Sequence, residues 1–372
     1  MINMTRLVAV ARKESIQLRR DSRSMVLAFL LPVLLVVLFG YAITWDVDDV
    51  PTGVVDQDRS LRSRELIDAF RSSGYFTIVA QPERTADVDI LIDRGDVWLA
   101  LVIPPDFAER LDSGRGATVQ AIIDGSDANT ATIVGNYARA VAQSYSGQVQ
   151  LDGRAFRPPV TLESRVWYNE ELSSRNMIVP GLVAVIMMII AAMLTSLTIA
   201  REWERGTMEQ LASTPVGRAE VVLGKLLPYV AIGLIDVVVV SLVGVFLFGV
   251  PFRGSVPLLM VLSLAFIIGS LGFGIFISAV ARSQLLATQM AMITTFLPAF
   301  LLSGFMYAIS VMPPVLQAVT YLVPARYFLV VTRGVFLKGV GTEALAGQGL
   351  LMIAFAAAGL TAATVVFRKE IA

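Results

Sequence analysis

The 372-residue chain has no cysteine and no histidine. Without cysteine no disulfide holds the fold, and the redox compartment is left open. Without either residue the usual ligands of a structural zinc or a haem are missing. So are the Ser-His and Cys-His pairs of nucleophilic catalysis, although composition leaves Ser-Lys and paired-carboxylate chemistry open. A phosphate-cradling G-x-x-x-x-G-K-[ST] loop is also missing. The nearest string, Gly217 to Leu226 with Gly224 and Lys225 inside it, has the wrong spacing and the wrong final residue. The chain is therefore expected to bind no nucleotide and to be no enzyme. Charge is scarce too, at 16% of residues against about 25% in ordinary soluble domains.

What is abundant is apolar: 55% of residues, with a mean hydropathy of +0.69. This composition predicts an α-helical polytopic membrane protein. Six windows are long and apolar enough to span: 25–45, 177–199, 226–248, 257–280, 286–308 and 347–367. An even number of spans puts both termini on one side. That side is expected to be the cytoplasm, because the first 24 residues carry Arg6, Arg12, Lys13, Arg19, Arg20 and Arg23 against Glu14 and Asp21. Arg282, Arg368 and Lys369 agree with this orientation, whereas Arg326, Arg333 and Lys338 fall on the outer side. Residues 1–24, with Leu7, Val8, Ala11 and Leu18 among the basic residues, read as an amphipathic helix on the inner leaflet.

Residues 46–176 form a hydrophilic insert of domain size. It holds 13 Arg and 21 Asp plus Glu, a net charge of 13 − 21 = −8. Alternating patterns predict strands over 52–55, 75–80, 97–103 and 117–123 and helices over 60–72, 104–111 and 129–150. Such alternation predicts an inserted α/β extracytoplasmic domain. Residues 309–346 hold two apolar pieces too short to cross, Val315 to Val323 and Tyr327 to Leu337. Pro313, Pro314 and Pro324 lie near their starts, which predicts short re-entrant helices that form an outer gate.

Between spans two and three lies a polar stretch, 200–225. Trp203, Thr207 and Leu211 recur every four residues, while Glu202, Arg205 and Glu209 share another side, so 201–211 is predicted as one short amphipathic helix. Thr214 is predicted to cap a second helix with Pro215 at its first position. Asp236 is the one acid inside a span and must face protein or water. It would line a translocation path or respond to protons, or else form a polar pair in the bundle or dimer interior. Gly269, Ser270, Gly272, Gly274 and Ser278 give span four a small-residue packing face.

The run LTIAREWERGTMEQLASTPVGRAEVVLGKLLPY and the later SGFMYAISVMPPVLQAVTYLVPARYFLVVTRGVFLKG resemble the permease subunits of type-2 ABC exporters, and the resemblance covers essentially the whole chain. It implies that Glu204, Arg205, Gly206, Thr207 and Glu209, flanked by Trp203, Leu211, Thr214 and Pro215, belong to a coupling helix. That helix docks on a separate ATP-binding subunit, through which ATP and magnesium act. Glu220, Gly224 and Lys225 match the motif that follows. The resemblance further implies a homodimer or a heterodimer with a related permease, in a bacterial inner membrane. The substrate would be hydrophobic or amphiphilic: a drug, a lipid or a lipid-linked molecule. The chain departs from the commonest family pattern at Ala308, often proline, and at Arg326, often threonine. Two other readings of the residues are a membrane-anchored sensor or binding module and an ion-gradient-driven transporter using Asp236.

Overall fold

The computed structural model describes residues 3–43, 47, 49–114, 116–126, 128–151, 168–169 and 173–367. The predicted tail 368–372 lies outside them, as do the ends of the predicted first span and of the insert. The chain divides into two compact units, one of 1–44 with 166–372 and one of 45–165.

In the first unit, helix α1 (Met4–Arg20) starts where the Asn3 side chain accepts from the amides of Thr5 and Arg6. It buries Leu7 and Leu18 as an amphipathic helix should, but also Glu14, and leaves Val8 exposed. Helix α2 (Ser22–Met25) passes through a π-wound turn, Val26–Leu30, into α3 (Leu31–Ala42). Pro32 explains the widened turn, since it brings no N–H to the ladder. The apolar helix Val26–Ala42 is roughly 25 Å long at 1.5 Å per residue.

The second unit carries a four-stranded sheet in the order β2-β1-β3-β4. Strand β1 (Val50–Asp56) leads to α4 (Leu61–Ser72), whose N-cap Ser60 accepts from the Ser63 amide. Then follow β2 (Phe76–Ala80), α5 (Ala86–Asp93), β3 (Leu99–Ile103), α6 (Phe107–Asp112), β4 (Gln120–Ile123) and α7 (Ala128–Leu151). β1 pairs in parallel with β2 and β3, and β4 closes the edge antiparallel to β3. Strand periodicity sorts the two faces. Val54, Leu99 and Leu101 pack with Leu66, Phe70 and Phe107, while Ala100 and Val102 meet Val88 of α5. Helix α5 was not expected from the sequence, because Asp87, Asp89 and Asp93 break its apolar pattern. Two of these acids sit in its first turn, where the helix dipole favours them.

The first unit resumes with α8 (Ser174–Glu204), α9 (Met208–Ala212), α10 (Arg218–Phe246), α11 (Val256–Ala281) and α12 (Gln284–Ala291). Helix α12 continues through π-wound turns around Pro298 to Leu302. It stops there rather than at the predicted residue 308, because the chain turns through Gly304 at φ +86°. Helices α13 (Pro314–Thr320) and α14 (Pro324–Arg333), the latter extended by a π turn to Lys338, start at prolines as expected and meet at 77°. Helix α15 (Thr342–Val366) ends the described chain. Among the described residues, five helices are long and apolar enough to cross a membrane, or six if the bent pair is one span.

The small-residue face of α11 works on two sides. A Cβ at Gly272 would lie 2.8 Å from the backbone of Gly359 in α15, and one at Gly274 would lie 2.5 Å from the Ala192 carbonyl in α8. Ser278 accepts from the amides of Ile199 (3.0 Å) and Ala200 (2.9 Å), and Phe266 stacks on Phe328 at 4.2 Å.

Candidate functional site

The short amphipathic helix predicted over 201–211 is not one piece, because the span helix α8 takes up its first residues. Helix α8 ends at Glu204, because Gly206 adopts φ +68°, and the Thr207 amide donates back to the Glu202 carbonyl (3.1 Å). The predicted amphipathic helix is thus two pieces, the last turn of α8 and the one-turn α9. Nor do Thr214 and Pro215 start α10. The Thr214 hydroxyl donates to the Leu211 carbonyl (2.7 Å), and the Pro215 carbonyl accepts from Arg6 Nη1 (2.6 Å). Helix α10 begins after Gly217, whose amide donates to Glu220 Oε2 at 2.8 Å. The other oxygen of Glu220 accepts from the Asn3 amide (2.7 Å), so one carboxylate starts α10 and holds the entry to α1.

The predicted docking residues fall into two groups. Arg205, Gly206 and Glu209 are exposed at the corner, with Gln210, Pro215 and Arg218 beside them. Trp203, Thr207, Leu211 and Thr214 are half-buried. Trp203 lies under the Arg282 guanidinium, 4.8 Å from the ring centre. Glu204 accepts from the Gln284 amide (2.7 Å) and from its side-chain amide, which ties the end of α8 to the start of α12.

Glu202 does not share a face with Arg205 and Glu209. It is buried, and Oε1 accepts from Lys225 Nζ (3.0 Å) and Lys13 Nζ (2.6 Å), while Oε2 has no hydrogen-bond partner among the described residues. Lys225, 2% exposed, also donates to Glu14 Oε2 (3.1 Å), and the Tyr229 hydroxyl donates to Glu14 Oε1 (3.2 Å). These groups join α1, α8 and α10. A second bond lies nearby: Arg201 Nη1 donates to Asp21 Oδ2 (2.7 Å), and Ser24 Oγ donates to the same oxygen (2.8 Å). Burial raises the Asp21 pKa, but the Ser24 hydrogen bonds and the Arg201 charge outweigh it and hold the carboxyl below its ordinary value. Gly224, in the same stretch, lets α1 approach, since a Cβ there would lie 2.7 Å from Val10. Sequence reasoning picked out Glu220, Gly224 and Lys225 but missed Glu14 as the partner of Lys225, and with it Tyr229 on Glu14 and Lys13 on Glu202.

The remaining predicted residues lie elsewhere. Asp236 is 2% exposed within α10, and its Oδ2 has no hydrogen-bond partner among the described residues. Pro313 and Pro314 are exposed at the start of α13. Pro324 is buried at the start of α14, and Arg326 caps the bend, bonding to the Thr320 hydroxyl and lying 3.9 Å above the Tyr321 ring centre.

The corner is thus fixed between two span-length helices, α8 and α10. The model of the ABC-2 family transporter proteins matches residues 23–365. The chain belongs to that family. Among relatives of this ABC-2 chain, the "Probable multidrug ABC transporter permease YbhS" of Escherichia coli K12 is 38% identical over 358 residues, 96% of this chain and 95% of its own length. The "Probable multidrug ABC transporter permease YbhR" of the same strain is 30% identical over 370 residues, covering 98% and 99%. "ABC transporter G family member 20" of Dictyostelium discoideum is 24% identical over 345 residues, 90% of this chain but 46% of its own length. An ABC-2 permease of this kind is a multi-pass membrane transport subunit.

Proposed function

We propose that this ABC-2 permease exports a hydrophobic or amphiphilic molecule, driven by ATP hydrolysed in a separate subunit that docks on the corner from Trp203 to Pro215. The observation that carries the reading is the way this corner is held. Its tip exposes Arg205, Gly206, Glu209 and Gln210 to a partner, while its base is fastened to α1, α10 and α12 by Lys225, Glu220 and Glu204. A push on such a tip moves three helices rather than bending one loop. Exposed ion pairs add little to a helix's own stability, so the charges at the tip are available to set a partner's register.

The same reading puts both termini and the corner on the cytoplasmic side and the unit 45–165 outside as an α/β domain. The bent pair α13–α14 is then a re-entrant outer gate, with Pro313, Pro314, Pro324 and Arg326 at its turns. Magnesium and ATP belong to the partner subunit, and the permease works as a homodimer or with a related permease.

Purification from native membranes in mild detergent, with the accompanying chains identified by mass spectrometry, tests this reading. A stoichiometric ATP-binding subunit is expected with the wild type and is expected to be lost with Glu209→Ala at unchanged thermal stability. If no ATPase accompanies the wild type, or the variant retains it fully, the docking assignment fails.

A further inference from the structure

The unit 45–165 contains a cleft of about 510 Å³ on the sheet face opposite α5. Its floor is apolar: Phe70 of α4, Leu101 of β3, Phe107 and Leu111 of α6. The opposite wall is α7, which presents Gly135, Ala138 and Ala142 to the cleft. These three small residues recur at helical spacing, and larger side chains there would fill the space. The volume falls within the range of small-molecule sites, roughly 300 to 1,000 Å³.

The mouth is polar and of one sign. Arg139 and Gln143 of α7 are exposed at the edge, and Arg139 is the one charged residue on the lining. Its Nη1 donates to the side chain of Asn136 (3.2 Å), and among the described residues no carboxylate pairs with it. This is unexpected where acids outnumber arginines by 21 to 13 over 46–176. The guanidinium keeps donors free for an anionic group, in the fork geometry that suits a carboxylate or phosphate.

We propose that this cleft binds an acidic amphiphile, its apolar body between α7 and the sheet and its anionic head on Arg139. The site is separate from the docking corner and does not depend on the reading of that corner.

The test uses the full chain in nanodiscs and two diazirine-bearing probes of equal chain length, a fatty acid and the corresponding alkyl amine. Peptide mapping after photolysis is expected to place the fatty acid on residues 135–146 and on Phe107 or Leu111. Ala138→Phe, which fills the cleft, is expected to abolish that labelling. Arg139→Glu is expected to lower labelling by the fatty acid about tenfold, the loss of one charge-assisted contact, and to leave or raise labelling by the amine. Equal labelling by both probes in the wild type, or full labelling of the Ala138→Phe variant, would overturn the proposal. An Ala142→Cys variant checks whether the chain itself fills the space. Maleimide reaction without ligand, slowed by the fatty acid, is the supporting result, and no reaction without ligand means that another segment occupies the cleft and the proposal falls.

Discussion

Lys225 illustrates how a single side chain can hold a bundle. Its ammonium lies between Glu14 and Glu202 with almost no contact with water. Removing it leaves buried Glu14 with the Tyr229 hydroxyl but no cation, and Glu202 with the half-exposed Lys13 alone, so Lys225→Met should destabilise the protein by about 3 to 5 kcal/mol, read from thermal unfolding in detergent. Adding Glu14→Gln and Glu202→Gln to the same chain should recover most of the loss, since it is the stranded charges that cost stability. Asp21 behaves differently because its folded pKa is lowered from 3.8. Its contribution is complete above that ordinary value and disappears as pH falls through the lower folded one. Proteolysis within α1 should therefore accelerate under acid, and Asp21→Asn should show the accelerated rate already at neutral pH. Asp236→Asn keeps the shape of a buried side chain while removing its capacity for charge, so it should assemble normally yet transport at a changed rate in vesicles. Unchanged transport would leave Asp236 a purely structural group.

Among the elements, those with regular periodicity were legible in advance. The strands over Val50–Asp56 and Leu99–Ile103, the capped helix after Ser60 and the long α7 all lie close to where alternation and helical spacing put them. The corner was legible as a place but not as a shape. Trp203, Thr207 and Leu211 keep four-residue spacing across Gly206, and spacing cannot show that this glycine turns left-handed. Thr214 and Pro215 make a plausible helix start, but Glu220, three residues after Gly217, supplies the acceptor that decides it. The partnership of Glu14 with Lys225 joins positions 211 apart, beyond any local pattern. For the packing of α11, Gly272→Leu is expected to separate it from α15, lowering the unfolding temperature and weakening assembly. Gly341, with open space around it, should accept alanine with little change by the same assay.

At the scale of the whole molecule, the charge distribution was legible and its purpose was not. The excess of acid over 46–176 is apparent from counting, whereas the position of a single arginine, Arg139, at the mouth of an apolar cleft depends on where α7 lies over the sheet. The family was likewise readable from the two motif runs, which lie within the residues that match it.

The backbone contact between Gly272 and Gly359 has a mechanical consequence. At this seat main chain meets main chain with no side chain to reorient, and sliding one helix along the other would drive larger residues, such as Phe355 beside Gly269, into it. α11 and α15 must then travel as one rigid plank. Under the function proposed for the corner, motion started there has to be taken up along other seams, above all at the 77° elbow between α13 and α14.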